Sequence, residues 1–130
     1  DFAHHPTAVK ETLSALRAAY AKSRLVAVFE PRTNSSRKNI FQKAYSEVFD
    51  LADEILIKEP IPLDNIPPEQ MFSSTRLADD LTHRNKRATS FTSTDSIIDY
   101  IKQTSTSGDV LVIMSNGGFD DIHNRLLTLL

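Results

Sequence analysis

Apolar residues recur along this chain in two alternating rhythms. Val9, Leu13, Leu16 and Tyr20 fall at intervals of three and four, which predicts one apolar face on a helix running from Pro6 to about Ala21. Pro6 suits the first turn, where an amide donor is not needed. The run LVAVF, Leu25 to Phe29, is continuously apolar and carries two valines, so it predicts a strand buried on both faces. Ile40, Ala44, Val48 and Leu51 return to helical spacing, and Ile55 to Ile57 predict a second strand.

The segment from Lys58 to Ser73 breaks both rhythms. It contains Pro60, Pro62, Pro67 and Pro68 and reads as an exposed loop. Leu77, Ala78 and Leu81 mark a third helix, and Ala88 to Phe91 a weak strand with Ser93 or Thr94 as the cap of the helix behind it. Ile97, Ile98 and Ile101 face one way in that helix. Gly108 and Asp109 turn the chain into VLVIM, Val110 to Met114, the strongest strand signal of all. Phe119, Ile122, Leu126 and Leu129 define a last helix. Helices alternating with short apolar strands predict an α/β fold, a mostly parallel sheet covered by helices on both faces.

The chain's 130 residues suit a single domain, 1–130, with one core. A formal net charge of -2 argues against a dedicated nucleic-acid binder, which normally carries a basic excess. The absence of cysteine removes disulfides and thiolate metal sites. No apolar run reaches membrane-spanning length and the first residues lack a signal-peptide pattern; the absence of cysteine is compatible with a reducing cytoplasm, which is the expected compartment. Asp1 enters patterned sequence at once, and the expectation is a piece of a longer protein.

In parallel sheets ligands collect beyond the carboxyl ends of strands. Three stretches qualify by that rule. In DFAHHPT, Asp1, His4 and His5 lie at the mouth of the first helix, where a carboxylate and neutral imidazoles suit a ribose diol and a phosphate. The plainer alternative is that His5 caps the helix while His4 packs. FEPRTNSSRK sets Arg32, Arg37 and Lys38 among Asn34, Ser35 and Ser36, and planar guanidinium groups bind carboxylates through paired hydrogen bonds. Its alternative is a solvated basic loop. MSNGGFDD places two of only three glycines directly after VLVIM, at a helix N-terminus that can present amide donors to an anion. A tight turn without a ligand is the alternative there. No G-x-G-x-x-G or G-x-x-x-x-G-K-[ST] motif occurs, so a grip on a nucleoside triphosphate has to come largely from outside this chain. His83 and His123 lack metal-ligand spacing.

DFAHHPTA, FEPRTNSSRK and VIMSNGGFDDIH, in this order, resemble the C-terminal domain of the Mur ligases over essentially the whole chain. The resemblance implies a Rossmann-like three-layer domain that closes over a UDP-sugar domain and a central ATPase domain. ATP phosphorylates the muramate carboxylate in that family, and an incoming amine attacks the acyl phosphate. FEPR followed by NSSR, with SNGGF, most resembles the branch that joins UDP-N-acetylmuramate to the murein tripeptide L-alanyl-γ-D-glutamyl-meso-diaminopimelate in peptidoglycan recycling. By that resemblance Asp1 contacts the ATP ribose, His4 lies near the transferring phosphate and His5 has a less defined nucleotide role. Arg32, Asn34, Ser35 and Arg37 hold carboxylates of the amino substrate, while Ser115, Asn116, Gly117 and Phe119 line the same pocket. ATP and magnesium are expected mainly on the central domain, and the chain's own N-terminal and central domains are its expected partners.

Two rivals accompany this reading. One is the L-alanine-adding branch of the same family, which shares the HHPT start, or another Mur-type ligase. The other is a nucleotide-sensing module without catalysis.

Overall fold

The computed structural model describes residues 5–31, 39–61, 64–115 and 119–129. Nine regular elements alternate along them. Helix α1 spans Pro6–Ala19 and leads into strand β1, Leu25–Phe29. Helix α2, Gln42–Val48, is entered through a single 3-10 turn at Asn39–Phe41 and leads to β2, Glu54–Lys58. Helix α3, Ser74–His83, precedes β3, Arg87–Phe91; α4, Thr94–Thr104, precedes β4, Val110–Met114; and α5, Ile122–Leu129, closes the order.

All four strands are parallel, in the order β3-β2-β1-β4. The chain steps outward from β1 to β3, then crosses back so that β4 lands on the other side of β1. That reversal creates a switch point between the carboxyl ends of β1 and β4, where Phe29 stands in register with Met114.

Alternation along β1 divides the core. Leu25, Ala27 and Phe29 face a cluster with Val9 and Leu13 of α1, Tyr45 of α2, and Leu77 and Leu81 of α3. Val26 and Val28 face the opposite cluster, built on Ile97, Ile98 and Ile101 of α4 and Ile122 and Leu126 of α5. Three helices thus cover one face and two the other, so the fold is the three-layer α/β architecture that the rhythm of the sequence implies.

Some boundaries differ from those the pattern predicts, each for a physical reason. The aliphatic series Ile40, Ala44, Val48, Leu51 is not the buried stripe of the second helix: Ile40 is 64% exposed, and the core side carries Gln42, Tyr45, Ser46 and Phe49. Two stripes at helical spacing compete there, and the aromatic one has more surface to bury. VLVIM is an edge strand, mostly half-buried, because its high strand propensity does not decide its place in the sheet. The segment from Lys58 to Ser73 is not simply an exposed loop. Lys58 belongs to β2, Pro68–Gln70 forms a 3-10 turn, and Phe72 is 2% exposed, its ring centroid 5.9 Å from that of Tyr45. Leu129 ends up exposed at the last turn of α5.

Caps fix where the helices begin. His5 is the cap of α1, its Nδ1 accepting the Thr7 amide at 3.2 Å, and Ser93 caps α4 by accepting the Ser96 amide at 3.1 Å. Arg84, in the basic RNKR stretch, is the C-cap of α3 and pairs with Asp50.

Candidate functional site

Glu30 is the first residue beyond β1 and Ser115 the first beyond β4. The Glu30 amide donates to the Met114 carbonyl at 3.1 Å, which extends the β1-β4 ladder by one bond. Its side chain is 1% exposed although it is a carboxylate. Such burial is tolerable only with compensation, and compensation comes from both neighbouring strands. The Ser115 hydroxyl donates to Oε1 at 3.2 Å, and Lys58 at the end of β2 brings Nζ within 3.4 Å of Oε2. Lys58 is itself 8% exposed, and its Nζ also donates to the Glu59 carbonyl at 3.3 Å. One carboxylate therefore bridges the carboxyl ends of β2, β1 and β4.

The mouth of α1 reaches the same end of the sheet. The His5 ring meets Phe41 edge-on with centroids 5.0 Å apart, Phe41 meets Tyr45 at 6.2 Å, and Tyr45 lies 4.8 Å from Phe29 at the end of β1. Burial pushes the Tyr45 phenol well above its ordinary value, so it is neutral throughout the working range of pH.

Two depressions flank this rim. A polar cleft of about 440 Å³ is lined by Lys58, Thr92 to Asp95, Asp120 and Arg125. An apolar groove of about 380 Å³ lies between Pro60, Ile66, Pro68, Met71 and Phe72. Cross-bonds hold the segment behind the groove: Gln42 receives the Ser73 amide at 3.0 Å and donates to the Ser73 carbonyl at 3.1 Å, while Glu59 accepts the Ser74 amide at 2.9 Å.

Past β4 the backbone takes an uncommon path. Phe119, Asp120 and Asp121 all have left-handed φ, at 49°, 52° and 59°. Each such non-glycine residue costs roughly 1–2 kcal/mol, and local contacts offset the cost. Phe119 is packed to 1% exposure in the core between α4, α5 and the sheet, and Asp120 accepts a hydrogen bond from Thr94.

Of the residues to which the resemblance gives a site role, His5, Ser115 and Phe119 are described. His5 performs the capping role, Ser115 stands at the switch point on Glu30, and Phe119 directs its ring into the core. Asp1, His4, Arg32, Asn34, Ser35, Arg37, Asn116 and Gly117 lie outside the described residues. Their described flanks, His5, Pro31, Asn39, Ser115 and Phe119, belong to segments that enter or leave the same end of the sheet. Among the described residues no group of three or more His, Asp or Glu side chains is arranged to hold a metal ion. No described helix is long and apolar enough to cross a membrane. Neither Glu30 nor Lys58 is assigned a role by pattern alone. The available signal is a charged residue set against the end of an apolar run, LVAVF for Glu30 and Ile55 to Ile57 for Lys58, where solvent is not guaranteed.

A parallel sheet with helices on both faces and a buried polar cluster at its switch point defines an α/β domain of the Rossmann-like class. The profile of the family described as "Mur ligase, glutamate ligase domain" matches residues 1–117, and the chain belongs to that family. It is 34% identical over 128 residues to the UDP-N-acetylmuramate–L-alanyl-γ-D-glutamyl-meso-2,6-diaminoheptandioate ligase of Escherichia coli strain K12, covering 98% of this chain and 26% of that protein. It is 32% identical over 117 residues to the UDP-N-acetylmuramate–L-alanine ligase of Clostridium kluyveri, covering 90% and 25% respectively. The crystal structure of a murein peptide ligase from Psychrobacter arcticus 273-4 superposes with a TM-score of 0.79 at 38% identity, over 99% of this chain and 26% of that one. The chain thus spans about a quarter of the length of the relatives it matches.

Proposed function

We propose that this chain is the C-terminal domain of a three-domain, ATP-dependent cytoplasmic ligase that joins UDP-N-acetylmuramate to L-alanyl-γ-D-glutamyl-meso-diaminopimelate through an acyl phosphate, in peptidoglycan recycling. The observation that carries the reading is the Glu30–Ser115 hydrogen bond at the switch point. It means that the chain carrying Arg32, Asn34, Ser35 and Arg37 and the chain carrying Asn116 and Gly117 leave the sheet from adjacent points. The guanidinium and amide donors that those segments carry in sequence suit a peptide rich in carboxylates. Asp1, His4 and His5 contribute to the nucleotide site when the domains close. The domain's part is to orient the attacking amine and exclude water from the acyl phosphate. Magnesium belongs to the central domain in this reading.

The L-alanine-adding activity is a second reading, favoured by the 32% identity to the C. kluyveri enzyme. Nucleotide turnover separates the two. The complete enzyme, given UDP-N-acetylmuramate and ATP, is expected to release ADP with the tripeptide and to ignore L-alanine; turnover with L-alanine alone overturns the tripeptide assignment.

A further inference from the structure

Lys58 faces the polar cleft and not the larger core cluster. Side chains alternate along β2: Ile55 and Ile57 enter the cluster under α1, α2 and α3, Leu56 enters the one under α4 and α5, and Lys58 follows Leu56 onto that second face. There it lines the cleft of about 440 Å³ together with Thr92, Asp95 and Arg125. Lys58 forms the floor, its side chain 10% exposed, whereas Arg125 at 39% and Asp95 at 80% stand at the rim and pair with one another. Asp120, also on the wall, accepts the Thr94 hydroxyl.

A lysine ammonium has three protons to donate. Among the described residues Lys58 has two acceptors, the Glu59 carbonyl at 3.3 Å and Glu30 Oε2 at 3.4 Å. Both contacts are longer than the roughly 2.7–2.9 Å of a well-formed charge-assisted bond, and one donor is left over. A nearly buried cation with a donor to spare, on the floor of an open polar cleft, suits an anionic group entering from outside. Asp95 and Asp120 on the same walls count against a multiply charged anion and suit a cation above it. A carboxylate with an ammonium beside it is the free head group of an amino acid, and the cleft has the size of a small-molecule pocket, for which roughly 300–1,000 Å³ is usual. We propose that this cleft takes the amino-acid head group at the far end of the amino substrate, its carboxylate on Lys58 and its ammonium toward Asp95. Diaminopimelate presents such a head group beyond the peptide bond that joins it to the glutamyl residue, so the cleft reads the feature that separates it from lysine. This rests on the ligase reading above, and the experiment keeps the two apart.

The complete ligase is assayed with L-alanyl-γ-D-glutamyl-meso-diaminopimelate and with the same peptide ending in L-lysine, which keeps the terminal ammonium and lacks the carboxylate. The wild type is expected to favour the diaminopimelate peptide about thirtyfold in kcat/KM, the size of one hydrogen bond to a charged group. Lys58→Met keeps the length and apolar stem of the side chain and removes the cation. It is expected to lower kcat/KM for the diaminopimelate peptide by a similar factor and to change that for the lysine peptide less than about threefold. Asp95→Asn is expected to lower both alike, by about threefold, because both peptides bring the ammonium to an exposed rim.

A purely structural role for Lys58 lowers turnover of both peptides together, so the ratio between them isolates recognition. An equal loss for both peptides in Lys58→Met, or a wild type that uses the two equally well, overturns the cleft assignment and leaves the ligase reading intact. A wild type that turns over neither peptide overturns both. If Lys58→Met fails to fold, Lys58→Gln takes its place under the same criteria.

Discussion

Arg24 and Glu54 are held 2.6 Å apart at the amino end of the sheet, opposite the candidate site. The same guanidinium reaches Asp109 at 3.0 Å and the Thr104 carbonyl at 3.3 Å, so one side chain joins the start of β1, the first residue of β2 and the turn before β4. Tyr100 donates its hydroxyl to the other oxygen of Glu54. The Arg24 guanidinium is held above its ordinary value, chiefly by the hydrogen bond to Asp109, with that to Glu54 adding to it against the opposing effect of burial. Arg24→Ala leaves a buried carboxylate without its cation. Chemical denaturation is expected to show a loss of about 3 kcal/mol; a loss below about 1 kcal/mol would mean that water replaces the guanidinium at Glu54.

Asp109 links this end of the sheet to pH. Its carboxylate is held below the ordinary value of 3.8, first by the Thr106 amide at 2.9 Å and then by Arg24, against the opposing effect of burial. A lowered carboxylate contributes stability that is complete above the ordinary value and is lost as pH falls through the lowered one. Asp53 adds a contribution of the same sign: burial pushes it up, but the Leu25 amide at 2.7 Å and Arg17 prevail. Asp109→Asn is therefore expected to melt below the wild type at pH 7, with the two midpoints converging as pH falls below 3.8. A gap that persists unchanged in acid would assign the effect to packing.

Phe72 carries weight that its proline-rich surroundings conceal. It stands with Tyr45 and Phe29 in the larger core cluster, its centroid 6.5 Å from that of Phe29. Phe72→Ala is expected to cost about 3 kcal/mol or more through lost burial and the cavity left behind. Ile61→Ala, at a largely exposed position in the same segment, is expected to change stability by less than about 0.5 kcal/mol. Equal effects in thermal melts would mean that the groove beside Phe72 collapses to fill the gap.

Nucleotide affinity offers a test on the chain by itself. It contains neither of the glycine-rich phosphate-binding motifs. Calorimetric titration with ATP is expected to give no measurable heat of binding at micromolar concentrations, and micromolar affinity would move the phosphate grip into this domain.

The legible parts of the fold are those decided locally. The bounds of β1 coincide with the apolar run that predicts them, because a strand buried on both faces leaves no polar position to blur its ends. The order of the strands is not local, which is why VLVIM reads as the strongest strand yet lies at the edge. In α2 the spacing of three and four fits two overlapping sets of residues, and only contact with Phe29 selects Tyr45 and Phe49. The candidate site divides in the same way. Its loops are visible as strand ends, whereas the contact between Lys58 and Glu30 depends on β2 lying beside β1, and no motif in either segment announces it.

Arg32 bears the sharpest functional prediction, because FEPR places it two residues beyond Glu30 and therefore close to the point where β1 gives way to the switch-point loop. If it receives a substrate carboxylate through paired hydrogen bonds, removing it forfeits a charge-assisted contact and leaves that carboxylate partly desolvated. Arg32→Ala in the complete ligase is then expected to raise KM for the tripeptide about a hundredfold. KM for ATP should stay within about threefold if the arginine serves the amino substrate as proposed. Arg32→Lys keeps the charge but not the planar fork, and its KM should fall between the two. An unchanged tripeptide KM in Arg32→Ala would remove the arginine from the pocket, and a rise confined to ATP would transfer it to the nucleotide side.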